Sequence, residues 1–378
     1  MSVGEASGDM HAAGLMKELS ALAPGARYFG MGGAQMRAQG LDAVADARDI
    51  AVVGITEALR VLPRARQIFG SMLTEARLRQ PDAAVLVDSP DFNLRLARRL
   101  HDLRVPVVYY VSPQVWAWRP SRVRHIARNV DRMLVLFPFE VEFYRRRGVE
   151  VEHVGHPLVD EVPALPQAWD RDRGEARRLA LLPGSRRSEI ASLLPVMLAA
   201  AALLRQDRPD CQVRLILAPT LSLEDVAPLL SATDVPVEVV ASDRHRHIAD
   251  SHLALCASGT ATLEVGLLGT PLIVLYRLGT ITSLLARLLV RVPHIGLVNL
   301  VLGEEVAPEL VQGRTRPEHI AAVASRLLAD PAAIAGMRAK LSALRPALGE
   351  SGASRRAASA VLQVLARSSQ GSPNLGSR

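Results

Sequence analysis

The chain has 378 residues, 49% hydrophobic and 22% charged, with 45 Lys and Arg against 38 Asp and Glu for a formal charge of +7. At about 100–200 residues per domain this is enough chain for two domains, and the composition excludes disordered, collagenous and disulfide-stapled classes. Only Lys17 and Lys340 are lysines, and neither is followed by Ser or Thr in a glycine-rich loop, so a Gly-Lys-Ser/Thr phosphate loop is excluded.

Short β-rich runs alternate with helix-like segments from end to end, the pattern of parallel sheets built from βαβ units. Gly4–Asp9 (GEASGD) opens a helical pattern from Met10. Its small residues let backbone N–H groups approach an anion, with Glu5, Ser7 and Asp9 as the polar members; a plain turn capped by Ser7 or Asp9 is the alternative. Three residues before Gly4 are too few for the apolar strand that usually feeds such a turn, so a truncated first strand is expected. Ile50–Phe69 is apolar with Arg60, Arg64 and Arg66 interspersed. Such a segment either lies on an anionic leaflet through Ile55, Leu59 and Leu62 or packs on the core with an arginine face outward.

The strand Ala84–Val87 runs into Asp88–Asn93 (DSPDFN), at the carboxyl end where open α/β sheets bind ligands. Asp88 offers a general base, while Asp91 and Asn93 either clamp a sugar hydroxyl or cap the next helix. The strand Val105–Val111 leads into Tyr110–Arg119 (YVSPQVWAWR), where Trp116 and Trp118 suit a sugar-stacking wall or an apolar groove. After the strand Met133–Phe137, the proline-bearing stretch His156–Trp169 keeps neither period and marks a domain break, with His156 as a hinge or cleft residue.

The second half offers strands at Leu179–Leu182, Val213–Ala218, Val237–Val240, Leu253–Ala257 and Pro271–Tyr276. In Leu181–Glu189 (LLPGSRRSE) the turn amides and the forked cation of Arg186 fit a phosphate. In Ser258–Glu264 (SGTATLE), Ser258, Gly259 and Thr260 can cradle a diphosphate and Glu264 can accept from two ribose hydroxyls. Asn299, at the end of a further apolar stretch, can add an amide. His245, His247 and His252 lack the carboxylates and spacing of a metal centre and read as a solvated segment; Cys211 and Cys256 sit in apolar runs without a CxxC, so no metal is expected.

The expected layout is α/β: a Rossmann-like acceptor domain at 1–160 and a Rossmann-like nucleotide domain at 161–345, facing each other across a cleft. A C-terminal helix at 346–367 packs back across the domains, and a disordered tail fills 368–378. No apolar run reaches the ~18 residues of a membrane span, Leu193–Leu204 being shorter and holding Pro195. Glu5 and Asp9 stand where a signal peptide would be basic and apolar, so a cytosolic chain is expected.

Taken together, GEASGD, DSPDFN, YVSPQVWAWR, VGHP, LPGSRRSEI, SGTATLE and LVNLVLGEEVAPEL resemble, in order and over nearly the whole chain, the lipid-A-disaccharide synthase family. The resemblance implies a GT-B fold and an inverting transfer of diacylglucosamine from its UDP donor to diacylglucosamine 1-phosphate, giving a β-1′,6 link and UDP. It implies Asp88 as the base, Arg186, Ser258, Gly259, Thr260, Glu264 and Asn299 at UDP, and Glu5, Ser7, Asp9, Asp91, Asn93, Trp116 and His156 on the acceptor side. No cofactor or metal is implied. The lipid substrates favour the leaflet role of Ile50–Phe69, with Ser283–Val292 as a second candidate, and so a peripheral protein on the inner face of the inner membrane; a homodimer is also entertained. Two features depart from the family: the short lead-in to GEASGD, and Leu297-Val298-Asn299 where many members read Leu-Pro-Asn. A UDP-sugar epimerase of the same fold and a basic nucleic-acid-binding protein are the competing readings, the latter resting only on the charge, which an arginine-biased genome also explains.

Overall fold

The computed structural model describes residues 1–50, 55–118, 120–164, 177–277 and 293–371. They form two units, Met1–Pro157 with Gly349–Arg378, and Leu158–Leu348.

The first unit is a seven-stranded parallel sheet of β1 (Ser2–Val3), β2 (Tyr28–Gly32), β3 (Leu41–Asp46), β4 (Ala84–Val87), β5 (Val107–Tyr110), β6 (Arg132–Val135) and β7 (Val151–His153). Their spatial order is β3-β2-β1-β4-β5-β6-β7. Central strands such as β4 (AVLV) and β5 (VVYY) are buried along their whole length, as expected where helices cover both faces of a parallel sheet. Alternate residues feed two cores. Leu86, Tyr109 and Met133 point to a face covered by Ile68, Met72 and Leu73 and by Leu94, Leu96 and Leu100. Val87, Tyr110 and Leu134 point to the other, covered by Ala12, Leu15 and Met16 and by Ala357, Ala358 and Val361. The last three belong to the helix Ala353–Gly371, so the chain's final helix completes the core of its first unit. Arg356 fixes it there by donating from Nε to the Val154 carbonyl at 2.9 Å.

The segment read as basic and amphipathic is the helix Ile55–Arg79, which contains Pro63. Its later turns bury Ile68, Met72, Leu73 and Ala76 in the core. Leu62 is 36% exposed, and beside it Arg64 is ion-paired with Asp49 at 2.7 Å. The side chains of Ile55 and Leu59, and all of Ser283–Val292, lie outside the described residues.

The second unit holds a six-stranded parallel sheet of β8 (Arg178–Leu182), β9 (Gln212–Ile216), β10 (Val237–Val240), β11 (Leu253–Ala257), β12 (Leu272–Tyr276) and β13 (Glu309–Val311), ordered β10-β9-β8-β11-β12-β13. The apolar run Leu193–Leu204 lies within the helix Arg187–Asp207, which is long and apolar enough to cross a membrane. Ile190, Leu194, Met197 and Ala201 on it are buried within this unit, and Pro195 is absorbed in the helix interior.

Candidate functional site

In each sheet the strand order reverses at one place: between β1 and β4 in the first, and between β8 and β11 in the second. Ligands of open α/β sheets bind outside the carboxyl ends of the strands at such a switch point. GEASGD and DSPDFN leave β1 and β4, and PGSR and SGT leave β8 and β11, so all four turns stand at the two switch points.

In the first unit the two turns touch. A Cβ added to Gly4 would lie 2.2 Å from Ser89 Oγ, so only glycine admits this approach. Asp88 and Ser89 both have left-handed backbone, with φ +46° and +48°, and just past the end of the neighbouring β5 Val111 has φ +61°. Non-glycine residues in this region cost free energy, a β-branched valine most of all, and such strain gathers at functional turns. The Asp88 carbonyl is pinned by the Tyr109 hydroxyl at 2.5 Å and by Asn93 Nδ2 at 2.9 Å. The half-buried Asp88 side chain is thereby held at the rim of the sheet, set by groups beneath it.

The other residues assigned to the acceptor divide sharply. Asp9 is buried and accepts the backbone N–H of Gly33, Gln35 and Met36 at 2.7, 3.0 and 3.2 Å, capping the helix Ala34–Ala38. Asn93 is fully buried; it donates to the Ser2, Val87 and Asp88 carbonyls and accepts the Ser2 hydroxyl at 2.7 Å, tying β1 to β4. Both spend their polar atoms on the fold. Glu5 stands at the N-terminus of the helix Ala6–Leu22 without capping it through its side chain, and Ser7 is exposed. Asp91 is exposed in the first turn of the helix Pro90–Asp102 and forms an ion pair with Arg122.

His156 is buried, its ring 6.1 Å from His11 and 5.4 Å from Phe137. Burial depresses both imidazoles, His11 to about 4 and His156 to about 3 with a further push from His11 and His153, so both are neutral at physiological pH. The His11 Nδ1 atom has no hydrogen-bond partner among the described residues.

Trp116, on the short helix Val115–Trp118, donates its indole N–H to Glu140 Oε1 at 3.1 Å and meets the Phe139 ring edge-on at 5.0 Å. Glu140 is 2% exposed in the first turn of the helix Pro138–Arg145. Burial pushes its carboxyl up to about 7, against the hydrogen bonds it receives from Phe137 N at 3.1 Å and the Trp116 indole. It escaped the sequence reading because Glu in an amphipathic run reads as solvent-facing. The available signal was Pro138 at the first helical position with an acid two residues on, the signature of a carboxylate folded back on a helix start.

In the second unit the expected phosphate donors are already engaged. Ser185 N and Arg186 N donate to Glu189 Oε2 at 2.9 and 3.3 Å, and Arg186 Nη1 reaches Oε1 at 3.2 Å. The carboxylate of Glu189 therefore lies on the donor set that a phosphate would use. Across the switch point, Gly259 has φ +141° and leads into the helix Thr260–Leu267, with nothing within 4 Å of where a Cβ would stand. Thr260 is exposed. Ser258 Oγ donates to the Ile295 carbonyl at 3.0 Å. Glu264 is buried, with Arg244 Nη2 at 3.2 Å and His245 Nε2 at 3.1 Å. Burial opposes its charge, but the His245 hydrogen bond and the Arg244 cation outweigh that and hold it below the usual carboxylate range.

Asn299 is fully buried and saturated: Oδ1 accepts Val306 N and Ala307 N, and Nδ2 donates to the Ala307 carbonyl and Glu309 Oε1. Glu309, which the sequence did not flag, also accepts Ile295 N and Gly296 N, so the pair orders the loop on which Ser258 rests. The histidine cluster is not a solvated segment. His245 and His247 lie on the helix Arg244–Ala249, where Glu264 partners the His245 ring at 3.1 Å, and His252 is buried with Nδ1 accepting Arg178 N at 3.0 Å. Burial raises the Cys211 thiol to about 11 and the Cys256 thiol further, so neither is nucleophilic.

A family model described as lipid-A-disaccharide synthetase matches residues 1–364. The chain belongs to the lipid-A-disaccharide synthase family. It is 47% identical over 367 residues to the lipid-A-disaccharide synthase of Myxococcus xanthus (strain DK1622), covering 96% of each chain. Among solved structures it is similar to CalG4, the calicheamicin glycosyltransferase, with a TM-score of 0.60 at 17% identity over 97% of this chain and 96% of that one. The UDP-GlcNAc 2-epimerase from Neisseria meningitidis bound to UDP-GlcNAc gives 0.60 at 13% identity, covering 96% and 98%. These likenesses carry the fold, two parallel-sheet units of GT-B type. Family membership makes the chain a glycosyltransferase, a lipid-A-disaccharide synthase, and leaves the epimerases as distant structural relatives.

Proposed function

We propose that this synthase transfers diacylglucosamine from UDP-diacylglucosamine to diacylglucosamine 1-phosphate, with Asp88 as general base. The acceptor 6-hydroxyl attacks the anomeric carbon as Asp88 takes its proton. The bond from that carbon to the diphosphate breaks, and UDP leaves with the electron pair. One displacement inverts the centre and gives the β-1′,6 link. The second unit holds the nucleotide through Arg186, Ser258, Gly259 and Thr260. The departing diphosphate is balanced by turn amides and a guanidinium, with no metal required in this scheme.

The observation that carries this reading is Asp88 itself, a carboxylate-bearing residue in left-handed backbone at the switch point of the first sheet whose main-chain carbonyl is fixed by two buried side chains. The remaining roles follow from substrate chemistry. Two acylated sugars must come from and return to a bilayer, which supports a cytoplasmic protein docked on the inner face of the inner membrane through the exposed Leu62 end of its basic helix. A homodimer is compatible with this scheme, and its arginines are assigned to phosphates, not nucleic acid.

The test is UDP release from the diacyl donor with and without diacylglucosamine 1-phosphate. Release and a disaccharide product that both require the acceptor are expected. UDP-sugar consumption without acceptor would favour epimerase chemistry instead.

A further inference from the structure

Glu140 is costly to bury. It is 2% exposed, and no Lys or Arg pairs with it among the described residues. An uncompensated buried carboxyl is expensive, and an apolar residue of similar size would pack there more cheaply. Its oxygens gather donors from two elements. Phe137 N, at 3.1 Å, comes from just past the end of β6, and the Trp116 indole, at 3.1 Å, from the turn that leaves β5. Ser112 Oγ, on that turn, is 2.7 Å from Tyr144 Oη, one turn further along the helix that carries Glu140.

That turn starts at Val111, in left-handed backbone with its N–H on the Leu134 carbonyl at 3.1 Å. On its other side β5 meets β4, where Asp88 N donates to the Tyr110 carbonyl at 3.2 Å and the Tyr109 hydroxyl holds the Asp88 carbonyl. Glu140, the Ser112–Trp116 turn and Asp88 thus follow one another across three adjacent strands. Two costs, a buried carboxyl and a strained valine, fall on one turn beside the base, and strain of this kind points to function.

We propose that Glu140 is a positioning residue for the acceptor: it clamps the Ser112–Trp116 turn, and with it the Trp116 indole, at the carboxyl edge of the first sheet beside Asp88. This rests on the transfer reaction proposed above. A plain helix cap is the competing role, and it needs only the bond to Phe137 N, which Glu140→Gln retains through its amide oxygen.

The experiment compares wild type, Glu140→Gln and Trp116→Phe. It measures transfer against diacylglucosamine 1-phosphate concentration, UDP affinity by calorimetry, and indole emission against pH. Loss of one charge-assisted hydrogen bond is expected to raise the acceptor KM about tenfold in either variant, with a smaller change in kcat and unaltered UDP affinity. Trp116 emission in the wild type is expected to titrate near neutrality with the Glu140 carboxyl, and Glu140→Gln to abolish the titration. Of the other titratable groups facing this cluster, Tyr144 is raised by burial and His156 depressed to about 3, so neither changes charge in that range. Wild-type kinetics in both variants would overturn the role alone. If Glu140→Gln fails to fold, Trp116→Phe decides, because it keeps the carboxyl and its other donor, and an unchanged acceptor KM there overturns the clamp. A wild-type chain that transfers nothing overturns the functional reading, and this role with it.

Discussion

The Tyr109 hydroxyl donates to the main-chain carbonyl of Asp88 at 2.5 Å from inside the core of the first unit. The phenol is fully buried, and burial with the nearby Asp88 charge raises it well above its ordinary value, so it stays protonated as a donor. Tyr109→Phe removes that donor and leaves Asn93 alone on the carbonyl. A loss of about 1–2 kcal/mol in stability is expected, together with a fall in kcat at unchanged UDP affinity. Thermal melts and steady-state kinetics check this, and a variant that loses stability without losing kcat would place the bond in the scaffold only.

Asp9 and Asn93 predict a different phenotype. Each satisfies buried backbone, so Asp9→Ala and Asn93→Leu orphan several polar groups at about 1–3 kcal/mol per unsatisfied group. A marked drop in melting temperature and in soluble yield is expected. Full stability with lost turnover would instead return them to the acceptor.

Glu189 occupies the Ser185 and Arg186 amides, so a diphosphate binding there has to displace a carboxylate already in place. Glu189→Gln removes the charge, and UDP is expected to bind several-fold more tightly, whereas Arg186→Ala weakens it by about tenfold. Calorimetry with UDP decides. Unchanged affinity in both variants would move the diphosphate away from this turn.

Acid should act through the buried imidazoles. The unfolded chain protonates histidine near pH 6.5, while folded His11 and His156 resist until about 4 and 3. The unfolded state therefore binds more protons as pH falls below about 6.5, and stability declines from there towards the folded values. Melting temperature is expected to fall between about pH 6.5 and 4, the Glu140 carboxyl, raised to about 7, offsetting part of that fall because the folded state binds its proton first, and to fall less in a His11→Gln, His156→Gln double variant. Equal slopes would put the acid sensitivity elsewhere.

Legibility in the sequence followed apolar and β-branched runs. The strands β4, β10 and β11 begin and end where the apolar runs Ala84–Val87, Val237–Val240 and Leu253–Ala257 do. Three of the four edge strands, β3, β7 and β13, were missed because charged residues interrupt their apolar runs, as in LDAVAD and VEH, whereas the fourth, β10 (VEVV), was legible through its valines. Next to β3, β2 (YFGMG) is broken by glycines, and Gly30 has φ +136°. In the sites, the turns could be read from their place after strands, but not the fate of each polar group. Asn93 and Asn299 look like ligand contacts in a string of letters because nothing in their motifs says that the backbone of Ser2, or of Val306 and Ala307, will fold onto the amide. Glu140, Glu189 and Glu309 passed unnoticed for the converse reason: each is fixed in part by main-chain donors, which leave no mark in sequence.

The membrane docking proposed above turns on the Leu62 end of the helix Ile55–Arg79. Leu62→Asp is expected to reduce sedimentation with anionic vesicles while leaving the melting temperature unchanged, since a 36% exposed side chain contributes little to the core. Undiminished vesicle binding would assign the contact to another surface.

The central claim is that the carboxylate of Asp88 takes the acceptor proton while the nucleotide is held by the second unit. Single-turnover transfer by Asp88→Asn, measured beside its UDP affinity, tests it most directly. Transfer is expected to fall by about 10²-fold or more, the usual contribution of a general base, with UDP affinity unchanged; wild-type turnover, or a loss that merely tracks weaker UDP binding, would contradict it.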